Sequence, residues 1–305
     1  MSRPNKSKIF IEKLEKEFKE EDYNKYINKD LSLSDLADKY QVSKYYLSQF
    51  FKLKNYKSRK ELKEEYIKDD IFEKINCPEN AYILGFYIAD GCINDNRFSI
   101  RISAKDRDLL EKIKNYISPI SKINDIPEKI NNQGIKSNAM CDFSIRNNKI
   151  VNSLINLGFG YNKTHSNKSI KNVVPKEFMW DFIRGYFDGD GCISCSLTHK
   201  KHQLKSGELK IYSHLNIGFT IISKDKSILE EMNDFMKSQG IDSYIYPDNK
   251  NNFLIGTHSK KEISKIYNKL YTKCNLYLKR KLEKFQKIIE NTEVSSEIAK
   301  GSETL

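Results

Sequence analysis

The stretch Ile83-Leu-Gly-Phe-Tyr-Ile-Ala-Asp-Gly-Cys-Ile93 occurs a second time, 100 residues later, as Ile183-Arg-Gly-Tyr-Phe-Asp-Gly-Asp-Gly-Cys-Ile193. Two weaker echoes keep the same order. Ala104-Lys-Asp-Arg-Asp-Leu-Leu-Glu111 returns as Ser223-Lys-Asp-Lys-Ser-Ile-Leu-Glu230, and Phe143-Ser-Ile145 as Phe253-Leu-Ile255. At the first of these echoes the offset grows to 119, so the second copy carries about 19 extra residues around Cys195 to His214. Each copy reads helix, strand, strand, helix, strand, strand, helix. Such a duplication predicts a pseudo-twofold α+β molecule with antiparallel sheets.

The repeated helix carries small residues four apart, Gly85 with Ala89 and Gly185 with Gly189. Residues at i and i+4 share a helix face. Glycine in a helix interior costs about 1 kcal/mol relative to alanine, so its repetition points to two helices packed backbone to backbone. Asp90 and Asp190 end these helices, each before a glycine suited to a helix stop. A carboxylate there meets the negative end of the helix dipole, and two brought to one axis repel each other. A divalent cation resolves both conflicts. Hard Mg²⁺ takes oxygen ligands, with Mn²⁺ as a possible substitute, and the carbonyls of Ala89 and Gly189 are further ligands in this reading. A single Asp-Gly is also an ordinary turn; two at matched positions in long motifs are much more specific.

Both segments resemble the LAGLIDADG motif. Residues 78–285 resemble the LAGLIDADG homing endonucleases that carry two copies on one chain. The first copy departs from the pattern in having Ile88 where an acid often stands, but it keeps the later acid, Asp90. The resemblance implies an αββαββα unit in each half and a monomer. It also implies Mg²⁺-dependent double-strand cleavage of a long, nearly asymmetric DNA site, with Asp90 and Asp190 as catalytic metal ligands. A lysine near each site is implied as well. Lys163, in Gly160-Tyr-Asn-Lys-Thr164, matches the first, and Lys281, closing Leu278-Lys-Arg-Lys281, the second, with Lys273 and Lys279 as alternatives.

A β-ribbon can enter the major groove, where every base pair shows a distinct pattern. Phe98, Ile100 and Ile102 alternate with Arg97, Ser99, Arg101 and Ser103. Cys141, Phe143 and Ile145 alternate with Asp142, Ser144 and Arg146. In the second copy Ile211, Leu215, Ile217, Phe219 and Ile221 form an inner set, with an irregularity expected near Ser213. Lys210, Tyr212, Asn216 and Thr220 then face outward. The outward sets are candidate DNA contacts; a solvated sheet face would alternate in the same way.

Residues 7–30 read as one charged amphipathic helix. Beyond it, Ser32 or Ser34 can cap a short helix burying Leu36, Ala37 and Tyr40. Ser43 can cap another burying Leu47, Phe50 and Phe51. This resembles a helix-turn-helix in which Gln41 replaces the usual glycine, and it implies Lys44, Tyr45, Tyr46 and Gln49 on the outer face of a recognition helix. The expected boundaries are a helical domain at 1–55, a Lys/Glu-rich helical linker at 56–77, the repeats at 78–172 and 173–290, and a disordered tail at 291–305.

The chain has 305 residues, 38% hydrophobic and 31% charged, with a net charge of +12. This excess fits a polyanion partner, although the Lys, Asn and Ile bias, with only eight arginines, is also what an AT-rich genome produces. No apolar run approaches a membrane span and no secretory leader is recognisable. An intracellular protein is expected, in a bacterium, a phage-infected cell or an organelle. Cys192 and Cys195 with nearby histidines could hold zinc, but a strand would send them to opposite faces. Two other functions compete with the endonuclease: a non-catalytic transcriptional regulator on the same scaffold, and a maturase that binds intron RNA. The termini, Met1-Ser-Arg and Glu303-Thr-Leu, lack the Cys or Ser and the His-Asn of an intein.

Overall fold

The computed structural model describes residues 6–130, 134–161, 169–203 and 209–301, and the side chains of these except 6, 63, 200, 202, 210–214 and 291–301. The chain forms two compact units, one reaching Ile67 with Ser118–Ile120, the other holding Lys68–Ile117 and the chain from Ser121 on.

The first unit contains α1 (Lys6–Glu17), α2 (Glu20–Ile27), α3 (Leu33–Lys39), α4 (Lys44–Leu53) and α5 (Arg59–Glu65). The single helix expected over 7–30 is therefore two. The chain breaks because Phe18 packs into an aromatic cluster, its ring 5.1 Å from both Tyr40 and Phe50. Lys19 is extended and its N–H donates to the Tyr40 hydroxyl at 3.1 Å. Glu20, Glu21 and Asp22 then open α2, where acids suit the helix dipole. Ser32 forms a capping box with Asp35 at α3, and Ser43 caps α4. Between them Gln41 adopts a left-handed φ of 50°, the conformation glycine tolerates best.

The second unit holds both copies. The first copy runs α6 (Pro78–Asp90), β1 (Gly91–Asn94), β2 (Arg97–Ser103), α7 (Arg107–Ile117) and β3 (Ile123–Ile126). A small hairpin of β4 (Lys129–Ile130) and β5 (Lys136–Ser137) follows, then β6 (Met140–Arg146) and α8 (Asn148–Asn156). The second copy runs α9 (Met179–Asp190), β7 (Gly191–Gln203), β8 (Leu209–Ser223), α10 (Lys226–Ser238), β9 (Tyr244–Pro247), β10 (Phe253–Thr257) and α11 (Lys260–Tyr271), followed by α12 (Lys279–Gly301). The two four-stranded sheets have matching orders, β1-β2-β6-β3 and β7-β8-β10-β9, with every pairing antiparallel. Each sheet stacks an aromatic on its own motif helix, Phe98 on Tyr87 at 5.5 Å and Phe219 on Phe187 at 4.9 Å.

Three further expectations need correction. Residues 56–77 are not a helical linker throughout: beyond α5, Ile71, Phe72 and Ile75 are buried, with Phe72 against Tyr87 and Phe98. The tail expected to be disordered from Asn291 continues as helix to Gly301, carried on from a turn anchored by buried Phe285 and Ile288. The β7–β8 ladder has no irregularity at Ser213. It pairs continuously from Gly191↔Ile221 to Gln203↔Leu209. The polar residue there marks where the ribbon has run past the core, as the 57% and 63% exposure of Leu197 and Leu209 indicates.

Candidate functional site

The motif helices α6 and α9 cross at glycine. A methyl added at Gly85 would overlap the Phe182 carbonyl oxygen, and one at Gly185 the Tyr82 carbonyl oxygen. These contacts are reciprocal at the 100-residue offset, so the pseudo-twofold axis runs between them. Residues 80–88 of α6 and 182–188 of α9 are all buried, as a helix surrounded by protein must be. Nearer the helix ends the contact is complementary, because the Ala89 methyl fills the space that a Cβ of Gly189 would need.

Gly91 and Gly191 do not stop the helices in a left-handed cap. Both are extended, with φ of −81° and −98°. A side chain at either would collide with the preceding turn, at Tyr87 or Phe187. Close approach, not φ, requires glycine here.

Asp90 is exposed and Asp190 half-buried. The Asp90 carboxylate reaches toward the partner helix, with Oδ2 3.4 Å from the point a Gly189 Cβ would occupy. Asp190 lines a cavity of about 280 Å³ with Ala89, Tyr186, Ser223 and Asp225. Burial raises the Tyr186 hydroxyl well above its ordinary range, and Asp190 adds to this. The two acids thus end helices packed on one axis, beside the backbone of Ala89 and Gly189.

Lys281 is buried in the same region. Its ammonium donates to the Phe187 carbonyl, to that of Asp188 at 2.9 Å and to that of Gly191 at 2.7 Å. It thereby satisfies the carbonyl end of α9, where a cation is favoured. Burial pulls it down to about 8, while Asp188 and, more weakly, Asp90 favour its charge. Lys273 and Lys279 are exposed. Lys163 lies outside the described residues.

Sequence reasoning passed over Asp188 and Arg184. Asp188 is buried, and its Oδ2 accepts from the Tyr82 hydroxyl of the other copy at 2.7 Å and from Leu278 N–H at 2.9 Å. Burial pushes its carboxyl up to about 6 against the pull of Lys281. Arg184 donates to the carbonyls of Leu276 and Leu270 and to Asp181. The first copy has Leu84 and Ile88 at these positions. An ionisable residue inside a motif that is otherwise buried was the available signal.

On the first sheet, Arg97, Ser99, Arg101 and Ser103 alternate with buried Phe98, Ile100 and Ile102, and Asp142, Ser144 and Arg146 with buried Cys141, Phe143 and Ile145. Arg101 pairs with Asp142 at 3.2 Å. On the second sheet, Asn216 is exposed and Thr220 half-buried. Positions 210 and 212 fall in the same alternate row by register, and their side chains lie outside the description. Tyr244, Tyr246 and His258 escaped notice because β9 is short. Register carries Tyr244 into line with Gly256 and Thr220 of that row. Cys192 and Cys195 fall in opposite rows, and among the described residues no three His, Cys, Asp or Glu groups converge as a metal site.

In the first unit, Lys44 and Tyr45 of α4 are exposed and Gln49 is half-buried. Tyr46, expected on the outer face, turns inward to stack on Phe10 at 4.7 Å.

The donor chemistry at the axis is all oxygen: two carboxylates at negative helix ends beside main-chain carbonyls. A hard cation that keeps several waters and uses few protein ligands fits such a set.

A duplicated αββαββα unit whose acid-ended helices meet on one axis defines the class. Residues 183–292 match the LAGLIDADG endonuclease description and residues 78–138 the LAGLIDADG-like domain, together more than half of the chain. The chain belongs to the LAGLIDADG endonuclease family. Solved structures similar to it include the meganuclease I-CpaMI bound to uncleaved DNA, at 14% identity over 73% of this chain and 92% of that one, with a TM-score of 0.48. Another is the LAGLIDADG homing endonuclease I-GzeII in complex with its DNA target, at 17% identity over 75% and 93% with a TM-score of 0.43. Two curated proteins of Methanocaldococcus jannaschii are also similar. DNA-directed RNA polymerase subunit Rpo1C is 28% identical over 53% of this chain, and a probable translation initiation factor IF-2 is 26% identical over 68%. The matches span only 20% and 14% of those proteins. No helix among the described residues is long and apolar enough to cross a membrane.

Proposed function

We propose that this chain is a site-specific double-strand DNA endonuclease, acting as a monomer on a long, nearly asymmetric site. The observation that carries the reading is the convergence of Asp90 and Asp190 at the ends of two helices locked by reciprocal glycine contacts. Family membership, the net charge of +12 and the polar outer row of the first sheet support it.

In this reading Asp90 and Asp190, with the carbonyls of Ala89 and Gly189, hold Mg²⁺. Bound there, the ion would activate water and stabilise charge at the scissile phosphate. Each acid serves mainly one strand. Lys281 quenches the carbonyl dipoles at the end of α9, so that anionic phosphate can approach a helix terminus that would otherwise repel it. Lys163 is proposed as the first site's lysine. The outer rows of both sheets contact bases, and α4 adds a helix-turn-helix-like surface through Lys44, Tyr45 and Gln49.

The test is cleavage of duplexes carrying a selected target, with and without Mg²⁺. Asp190→Asn should lower cleavage at least about 100-fold, given that even outer-shell changes at metal sites cost 10–100-fold, while binding persists. Undiminished cleavage by that variant would sink the assignment. Binding without any cleavage by the native chain would leave the regulator, and preference for an intron transcript over duplex would leave the maturase.

A further inference from the structure

The two sheets present unlike chemistry on their outer rows. Three of the chain's eight arginines, Arg97, Arg101 and Arg146, lie in the outer row of the first sheet, and none of the eight lies in β7–β10. In a chain whose basic residues are overwhelmingly lysine, this concentration is not a by-product of composition. Arg97 and Arg146 stand directly across the ladder from each other, an arrangement of like charges that is unfavourable by itself. Hydrogen-bond acceptors lying over both would relieve it. The paired acceptors of guanine, N7 and O6, are the major-groove group that arginine engages best.

The second sheet carries aromatic groups instead. Tyr244 and Tyr246 lie 5.4 Å apart, and the His258 ring is 6.3 Å from Tyr244. His258 covers the outer side of Gly218, where an added Cβ would stand 2.9 Å from its Nδ1. That Nδ1 is 3.0 Å from the Ile217 carbonyl oxygen. A carbonyl only accepts, so Nδ1 carries the hydrogen and Nε2 of the neutral ring is left as an acceptor. Tyr244 is 47% exposed. An acceptor beside an apolar pad calls for a donor beside a methyl group. Adenine N6 with the thymine methyl supplies both in one base pair, whereas a G·C pair supplies no methyl.

We propose that the two half-sites are read by different chemistry: arginines of the first sheet select guanine, and the Tyr244–Tyr246–His258 pad of the second selects A·T pairs. This deepens, and rests on, the endonuclease reading. The experiment is selection of bound duplexes from a random library by the full chain in EDTA, which withholds divalent cations and so prevents cutting. Enriched sites should carry guanine in one half and A·T pairs in the other. An Arg97→Ala, Arg146→Ala double variant should relax only the guanine half, and His258→Ala only the A·T half, each by roughly tenfold in discrimination per base pair. All three positions are exposed, and thermal melts of the variants confirm folding. Halves of equal composition, or both variants relaxing the same half, would overturn the proposal and leave site-specific binding intact. Failure to enrich any sequence would instead overturn the site-specific reading beneath it.

Discussion

Asp190 and Lys281 were both legible as residues of interest, for different reasons. The aspartate stood out because an acid at the end of a glycine-faced helix conflicts both with the helix dipole and with its matching acid on the other copy. The lysine stood out only through resemblance, and its geometry adds what no spacing could: all three ammonium hydrogens go to carbonyls of one helix end. Asp22 was not legible at all, being one of three consecutive acids. Only the fold reveals that it is buried, accepting from the Tyr40 hydroxyl and from Lys39 at 2.7 Å. Burial opposes its charge, but Lys39 and Tyr40 outweigh this and hold its carboxyl below the ordinary range. A depressed carboxylate contributes stability above its unfolded pKa and loses it as pH falls through the folded one. Asp22→Asn should therefore destabilise the first unit near neutral pH by about 1–3 kcal/mol. As pH falls below the ordinary carboxylate range the difference should shrink, because the unfolded chain takes up the proton first and the native carboxylate follows only at lower pH. Urea unfolding at neutral and at acidic pH checks this, and a pH-independent difference would contradict the ion pair.

Among elements, the motif helices were the most legible, because glycine at matched positions has few explanations. The turn before α4 was legible in kind although Gln41 obscured it. The break at Phe18 was not, since the aromatic cluster that causes it gathers residues from α3, α4 and the chain beyond. The helix pair also allows a sharp test. Gly189→Ala drives a second methyl into Ala89 and should cost about 1–3 kcal/mol as overpacking. Ala89→Gly alone should cost about 1 kcal/mol of helix propensity. The double exchange moves the methyl to the other helix and should recover most of the Gly189→Ala loss, a coupling that a double-mutant cycle by denaturant unfolding would measure. Simple additivity would place the methyl elsewhere.

At the scale of the molecule, the charge of +12 acquires a location. Base composition could account for the lysines, but it gives no reason for three arginines in one outer row. If roughly 6–10 phosphates are contacted, DNA affinity should fall about 10³–10⁵-fold between 50 and 200 mM salt. Filter binding or fluorescence anisotropy across that range decides it, and a flat response would return the charge to genomic bias. The duplicated topology was readable because the repeat fixes element order. The length and unbroken register of the β7–β8 ribbon were not, since polar residues beyond a core look like an interruption.

The fit of Ala89 into Gly189 and the bond from Tyr82 to Asp188 together mean that neither copy can pair with itself. Two first copies would bring two Ala89 methyls into one space. Two second copies would bury Asp188 opposite Phe182, which has no hydroxyl to offer. Descent from a symmetric ancestor has become a one-way passage: each half now holds the other's missing atom, and a split gene would have to keep both products to keep either.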